Sequence, residues 1–303
     1  MTTIMDRYEL TRDGKGVRID LKGRHNVLFT SPGKGEYEDV RSIGFGDCGC
    51  DVIVSENAGN LRIGISEMRF GRTAGAAIAM ADLGSGICRA GYDECEGQGE
   101  ISLILLLGPS FSISSMARAG ITSAEAITAA IQDLGLRNAA GRCGSGVRNL
   151  RMAVVSNTES DLHLRGTGKH SKMGEIIGKT VYQAVFDSAV ENGVDFPEPR
   201  YVSKTLQSKG FTEEYVRSRY PPSSGRYREI LEKLDSDECA RIPFSSLALL
   251  DDEIGWGLIP GEEGIAAGRG SSNPCSANAP RKEACPWRFS WPRSSNEHEG
   301  DLG

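Results

Sequence analysis

The sequence predicts an α/β fold: a mixed, partly antiparallel sheet with helices packed on it, in a single main domain. Three observations predict it: paired alternating segments around turn residues, one apolar run of strand length, and two segments with apolar residues at helical spacing. These place the main domain at residues 1–200, a helical extension at 201–263 and a disordered tail at 264–303.

The first pair is "YELTR" and "GVRIDL" around Asp13-Gly14, a dipeptide that favours a hairpin turn. "DVIVSENAGNLRIGISEM" reads as a second hairpin, with Val52 and Val54 leading to a "NAGN" turn and Leu61, Ile63 and Ile65 leading back. The glycine- and alanine-rich "AGAAIAMADLGSGICRAGYDE" shows no periodicity and reads as a loop. Ile101 to Leu107 is a buried strand by length and composition. Thr122 and Glu125 then have the spacing of a capping box, and Ala126, Ile127, Ala130, Ile131 and Leu134 continue as a helix that Gly135 can end. A strand at Leu150 to Asn157 follows. Met173, Ile176, Ile177, Val181, Ala184 and Val185 form the stripe of a second helix, with Ser171 as cap and Asn192-Gly193 as stop. Beyond residue 200, "EEYVRSRY" and "GRYREILEKL" predict short helices, and the aperiodic segment from Gly264 predicts disorder.

Composition narrows the function. With 41 Asp and Glu against 35 Lys and Arg, the net charge is −6, which disfavours a nucleic-acid partner held by a broad basic face. A small-molecule enzyme fits better. No run reaches the roughly 18 apolar residues of a membrane span, and the polar start "MTTIMDRYELTRDGKG" does not read as a secretory signal, so a cytoplasmic location is the default expectation. The eight cysteines are scattered, which predicts reduced thiols rather than a disulfide framework. Cys48 and Cys50 form a C-x-C and no C-x-x-C occurs, so no metal site is expected.

The segment with the densest chemistry is "GTGKHSKMGEIIGK", Gly166 to Lys179. Its glycines admit close approach to backbone N–H groups, a helix start leaves such groups unpaired, and Lys169 and Lys172 add charge. An oxyanion site and a well-capped helix both satisfy these features. The P-loop spacing is absent. His170 beside glycines is placed to move protons, as His25 and His163 are by type, although a lone histidine often serves structure. Glu125 is explained by its cap position and Glu175 by the helix dipole. Arg142 and Arg148 in "RCGSGVRNLR" could meet an acidic ligand, and Ser112, Ser114 and Ser115 lack the G-x-S-x-G context of a hydrolase elbow.

From "MARAGITSAEAITAAIQDLG" through "CGSGVRNLRMAVVSNTESDLHLRGTGKHSKMGEIIGKTVYQAV", the chain resembles the adenosylcobinamide amidohydrolase family, which serves cobamide salvage, particularly in archaea. The shared elements are the Thr-x-x-Glu helix with Thr128, the glycine turn, the Val-Val-Ser-Asn strand and, above all, Gly168-Lys169-His170-Ser171-Lys172 with the helix after it. The resemblance covers residues 15–195, most strongly 115–190, and takes in "GRHNVLFTSP" and "CRAGYDE" more loosely.

The resemblance implies hydrolysis of the amide between the corrinoid's propionyl side chain and aminopropanol, giving adenosylcobyric acid. The corrinoid is substrate rather than cofactor. On this reading His170 transfers protons, Glu125 orients water, and Lys172 or Lys169 with the Gly166 to Ser171 backbone stabilises the oxyanion. Gly166, Gly168, Lys169, Ser171, Thr122, Ser145, Arg148 and His25 would bind substrate. No metal is implied. Two positions depart from the family pattern: Gly-Ser-Gly-Thr-Asp becomes Gly144-Ser145-Gly146-Val147-Arg148, and Arg-Ala-Gly-Asp becomes Arg89-Ala90-Gly91-Tyr92 with Asp93 next. The alternative they raise is a paralogue that binds corrinoid with impaired catalysis.

Overall fold

A computed structural model describes residues 2–4, 8–30, 35–57, 61–84, 86–91, 97–138, 143–194, 201–208, 211–219, 224–255 and 257–271. The chain divides into two units, Met1–Pro199 with Ser208–Phe211, and Arg200–Gln207 with Thr212–Gly303.

The first unit is built on a nine-stranded sheet. Asp13 folds β2 (Tyr8–Arg12) back on β3 (Gly16–Phe29), its carboxylate accepting from the Lys15 and Gly16 N–H groups at 2.8 and 2.9 Å. The expected hairpin is present, with Tyr8 opposite Leu21 and Arg12 opposite Val17. β1 (Thr2–Ile4) pairs with β2, and β4 (Glu36–Gly46) pairs with β3 and, in parallel, with β5 (Val52–Ser55). On the other side of β3 the order continues through β11 (Asn149–Asn157), β9 (Glu100–Leu107), β7 (Thr73–Asp82) and β6 (Ile63–Phe70). β9 and β11 are parallel, whereas β3–β11, β7–β9 and β6–β7 are antiparallel. The sheet is therefore mixed, as expected. A separate two-stranded ribbon joins β8 (Ile87–Cys88) to β10 (Gly146–Val147).

Both faces of β7, β9 and β11 are covered. Ala77, Ala79, Ala81, Leu103, Leu105, Leu107 and Val154 pack under helices α1 (Ile113–Asp133) and α2 (Lys172–Glu191). Ala76, Ile78, Ile104, Leu106, Ala153 and Val155 pack on the other face with β2–β5 residues such as Tyr8, Ile19, Ile43 and Phe45. A strand buried on both faces has no reason to alternate, so the segment expected to be a loop beside the sheet is instead the interior strand β7, between β6 and β9. Its small residues answer to α2: a Cβ on Gly75 would lie 3.0 Å from Ile176 Cγ2 and 3.1 Å from Met173 Cε.

Misreading β7 also misdirected the second hairpin. Val52–Ser55 runs parallel to β4, and Ile63–Phe70 turns through Gly71-Arg72 to pair with β7, so the two halves of "DVIVSENAGNLRIGISEM" do not pair with each other. Gly64 of β6 lies so close to α2 that a Cβ would fall 1.9 Å from the Ala184 carbonyl oxygen.

The helices follow their sequence signals in part. α2 has its apolar stripe buried and Ser171 as cap, accepting from the Gly174 N–H at 3.0 Å. α1 starts nine residues before Thr122, with Ser112 as cap. The expected capping box is thus mid-helix, where the Thr122 hydroxyl donates to the Thr167 carbonyl at 3.1 Å. Gly135, at φ 73°, closes α1 in the left-handed conformation that glycine adopts without a steric cost.

At the amino ends of β9 and β11, Glu100 is 9% exposed. It accepts from Arg151 Nη1 at 2.6 Å, Ser55 Oγ at 2.6 Å and Ser102 Oγ at 2.9 Å. Burial alone would raise its carboxyl, but the Ser55 and Ser102 hydroxyls, the Arg151 charge and the Asn57 amide outweigh it and hold the group below the usual carboxylate range. A group whose folded value is lowered stabilises the fold above its unfolded value, and that contribution is lost as pH falls through the folded value. Glu100→Gln is expected to lower stability at neutral pH by about 2 kcal/mol, read by urea unfolding. It should also flatten the loss of stability below the ordinary carboxylate range that the native chain shows.

The second unit is helical: α3 (Val202–Ser208), α4 (Glu213–Arg219), α5 (Ser224–Ser236), α6 (Glu238–Gly255) and α7 (Gly261–Ser271). Asp235 accepts from the Ser203 N–H at 3.0 Å and from its hydroxyl, and Arg228 pairs with Glu213 at 2.9 Å. Residues 264–271, expected to open the disordered tail, are helical, with Glu262 and Glu263 in an acidic first turn and the helix-favouring Ala266 and Ala267 after it; residues 272–303 lie outside the described part. Where reduced thiols rather than a disulfide framework were expected, Cys88 is disulfide-bonded, while Cys48, Cys50, Cys143 and Cys239 are free.

Candidate active site

β9 and β11 end side by side, and each is followed by a loop into the cap of a helix. The two loops pair through reciprocal hydrogen bonds between Ser110 N and Leu162 O at 2.9 Å and between Leu164 N and Ser110 O at 3.2 Å. Three buried hydroxyls then bind the glycine segment to α1. Ser115 donates to Arg165 O at 3.0 Å, Thr167 to Ser115 O at 2.7 Å, and Thr122 to Thr167 O. The Ser171 hydroxyl both caps α2 and donates to Gly168 O at 2.8 Å. Gly174 completes the corner, since a Cβ there would lie 2.0 Å from the Gly168 oxygen. The result is a fixed loop at a helix start, where first-turn N–H groups have no partner within the helix.

Beside this loop lies a groove of about 680 Å³ between α1, α2 and β6. Its small residues are Ala126, Ala129, Gly174 and Gly178; its polar residues include Glu125, Lys169, Tyr182, Gln183 and Glu67. Lys169 Nζ meets Glu125 Oε1 at 3.0 Å, which brings two of the expected site residues together across the loop–helix boundary. Thr122 is in the groove wall with its hydroxyl committed to Thr167. His170 is exposed on the loop next to Lys169. Lys172 pairs with Glu175 at 2.5 Å, and its ammonium also stands 4.7 Å above the Phe70 ring. Glu175 takes a second cation, Lys179 at 2.9 Å, and the Lys172 and Lys179 hydrogen bonds bring its carboxyl down to about 2. Burial, then the hydrogen bond to Asp133, pushes Tyr182 up to about 12, which keeps its phenol a donor near neutral pH.

Other expected site residues lie elsewhere. Ser145 and Arg148 precede β11, whereas the glycine loop follows it, and neither lines the groove; the Thr128 that holds the Ser145 carbonyl is six residues, about 9 Å, along α1 from the Thr122 that holds Thr167. Ser145 has structural partners: its hydroxyl accepts from Ala90 N–H at 2.9 Å and its carbonyl from Thr128 at 2.8 Å. Arg148 is exposed. His25 is 0% exposed on the sheet face away from α1 and α2, with its ring centroid 5.6 Å from that of Tyr8. Arg142 and Asp93 lie outside the described residues. The groove residues that sequence reasoning missed had a signal: Gly174, Gly178 and Tyr182 recur every four residues along α2, beside the apolar stripe. Glu67 had none once β6 was given the wrong partner.

The groove, the glycine loop and both helices fall in one contiguous segment. Residues 61–193 match the adenosylcobinamide amidohydrolase family. The family segment runs from the residues before β6 to the stop of α2, so it leaves out β1–β5, His25 and the helical second unit. The resemblance read from residue 15 thus extends further toward the amino end than the family match does. Over 97 residues the chain is also 34% identical to the uncharacterized protein MJ1613 of Methanocaldococcus jannaschii, a stretch covering 31% of this chain and 36% of that protein. The match therefore spans about a third of that relative's length.

Proposed function

We propose that this chain hydrolyses the aminopropanol amide of adenosylcobinamide to adenosylcobyric acid. The observation that carries this reading is that the family match at 61–193 contains the groove and the glycine loop together. The groove suits a broad, flat ligand with amide groups at its edge. Its glycines and alanines leave an apolar strip, and Glu125, Lys169, Tyr182 and Gln183 offer hydrogen bonds to amides around it.

In the proposed step, water oriented by Glu125 attacks the amide carbon, and the new carbon–oxygen bond replaces the carbon–nitrogen bond. The oxyanion formed on the way is met by Lys169 and the N–H groups at the start of α2, because donors already in place lower the barrier without reorganising. His170 takes a proton from the water and passes it to the departing amine. Lys172, held by Glu175, adds field rather than a proton. The products are a carboxylate and free aminopropanol.

Purified protein incubated with adenosylcobinamide should yield adenosylcobyric acid by mass spectrometry; tight corrinoid binding without product would overturn the reading. A catalytically impaired corrinoid-binding paralogue is the second reading, favoured by Val147 and Arg148 at the glycine turn. Because neither residue lines the groove, Val147→Thr with Arg148→Asp is expected to change kcat less than about threefold. A tenfold gain in kcat would favour the impaired paralogue.

A further inference from the structure

Cys48 and Cys50 lie between β4 and β5, outside the family segment, with their sulfurs 2.9 Å apart. Three features hold them there. Gly49 between them has φ 62°, a conformation that turns the tripeptide tightly and that few other residues accept. Arg18 Nη1 donates to the carbonyls of Cys48 and Gly49 at 3.3 and 2.9 Å. Gly44 leaves the room the sulfurs occupy, since a Cβ there would lie 2.8 Å from Cys48 Sγ and 3.1 Å from Cys50 Sγ. Both thiols are free and half-buried, so a small reagent can reach them.

We propose that Cys48 and Cys50 are a thiol-modification site that closes to a disulfide by exchange with a low-molecular-weight disulfide such as oxidised glutathione. Burial and the neighbouring Cys48 thiol push Cys50 up to about 12, which keeps it protonated while Cys48 makes the first attack. The Cys48 thiolate attacks one sulfur of the reagent, forms a mixed disulfide and expels one glutathione thiolate. Cys50, its proton taken by the glutathione thiolate released first, then attacks the Cys48 sulfur and expels the second. The two protons lost by the cysteines leave on the two glutathione thiols, the protein is oxidised by two electrons and the reagent disulfide is reduced by two.

The test uses the full chain equilibrated with excess oxidised glutathione, alkylated with iodoacetamide and digested with trypsin without reductant. Cleavage after Arg41 and Arg62 puts both cysteines in one peptide. The expected peptide is lighter by two hydrogens, carries no alkyl group or glutathione, and regains two alkylation sites on reduction. Cys50→Ser, which cannot close the ring, is expected to accumulate one glutathione on Cys48. A native peptide alkylated twice, or one that keeps glutathione without closing, would overturn the proposal. So would Cys50→Ser without the adduct.

Discussion

Gly174→Ala is expected to cut turnover of adenosylcobinamide about 100-fold while leaving a folded protein. On helix propensity alone the change should help, since alanine is favoured over glycine by about 1 kcal/mol within a helix. Space reverses the sign. The new Cβ would fall 2.0 Å from Gly168 O, 2.4 Å from its carbon and 2.8 Å from Lys169 N, all backbone atoms with no rotamer to escape through. Either α2 or the Gly166 to Ser171 loop must move by about 1 Å, and displacement of that order in a positioning element costs about 100-fold in rate. Gly178→Ala, one turn further along α2, meets nothing within 4 Å and should instead gain stability of up to about 1 kcal/mol. Steady-state rates and thermal melts of the two variants side by side check the argument. Native turnover in Gly174→Ala would mean that the loop's position is immaterial to the reaction.

The parts of this fold legible in the sequence were those whose signals are local. Asp13-Gly14, Ser171 and Gly135 each act through one or two neighbouring backbone groups, and each does in the structure what its type predicts. The failures were tertiary. Thr73–Asp82 lost its alternation because α2 covers one face and Ile43 and Phe45 help fill the other, so its alanines look like a loop until both layers are in place. Thr122 and Glu125 imitate a capping box, but the hydroxyl belongs to a tie between α1 and Thr167 and the carboxylate to an ion pair with Lys169. The candidate site was legible along the contiguous Gly166 to Lys179 segment, whose glycines and Ser171 cap are local signals, although α1 holds the loop in place through Ser115 and Thr122. It was not legible where it depends on which strand pairs with which, as for Glu67, nor where a histidine's type said nothing about its depth, as for His25.

The central claim is that the loop before α2 does the chemistry, and His170 tests it with the largest effect. Its side chain is exposed and, among the described residues, no hydrogen bond ties it to the fold, so its removal should leave stability within about 0.5 kcal/mol of native. Loss of a proton-transfer group should lower kcat by a factor of about 100 or more, with the corrinoid's affinity unchanged. The most direct measurement is release of free aminopropanol from adenosylcobinamide by native protein and by His170→Ala, alongside corrinoid binding to each. The account predicts release by the native chain alone with equal binding by both. Equal rates of release from the two proteins would contradict it.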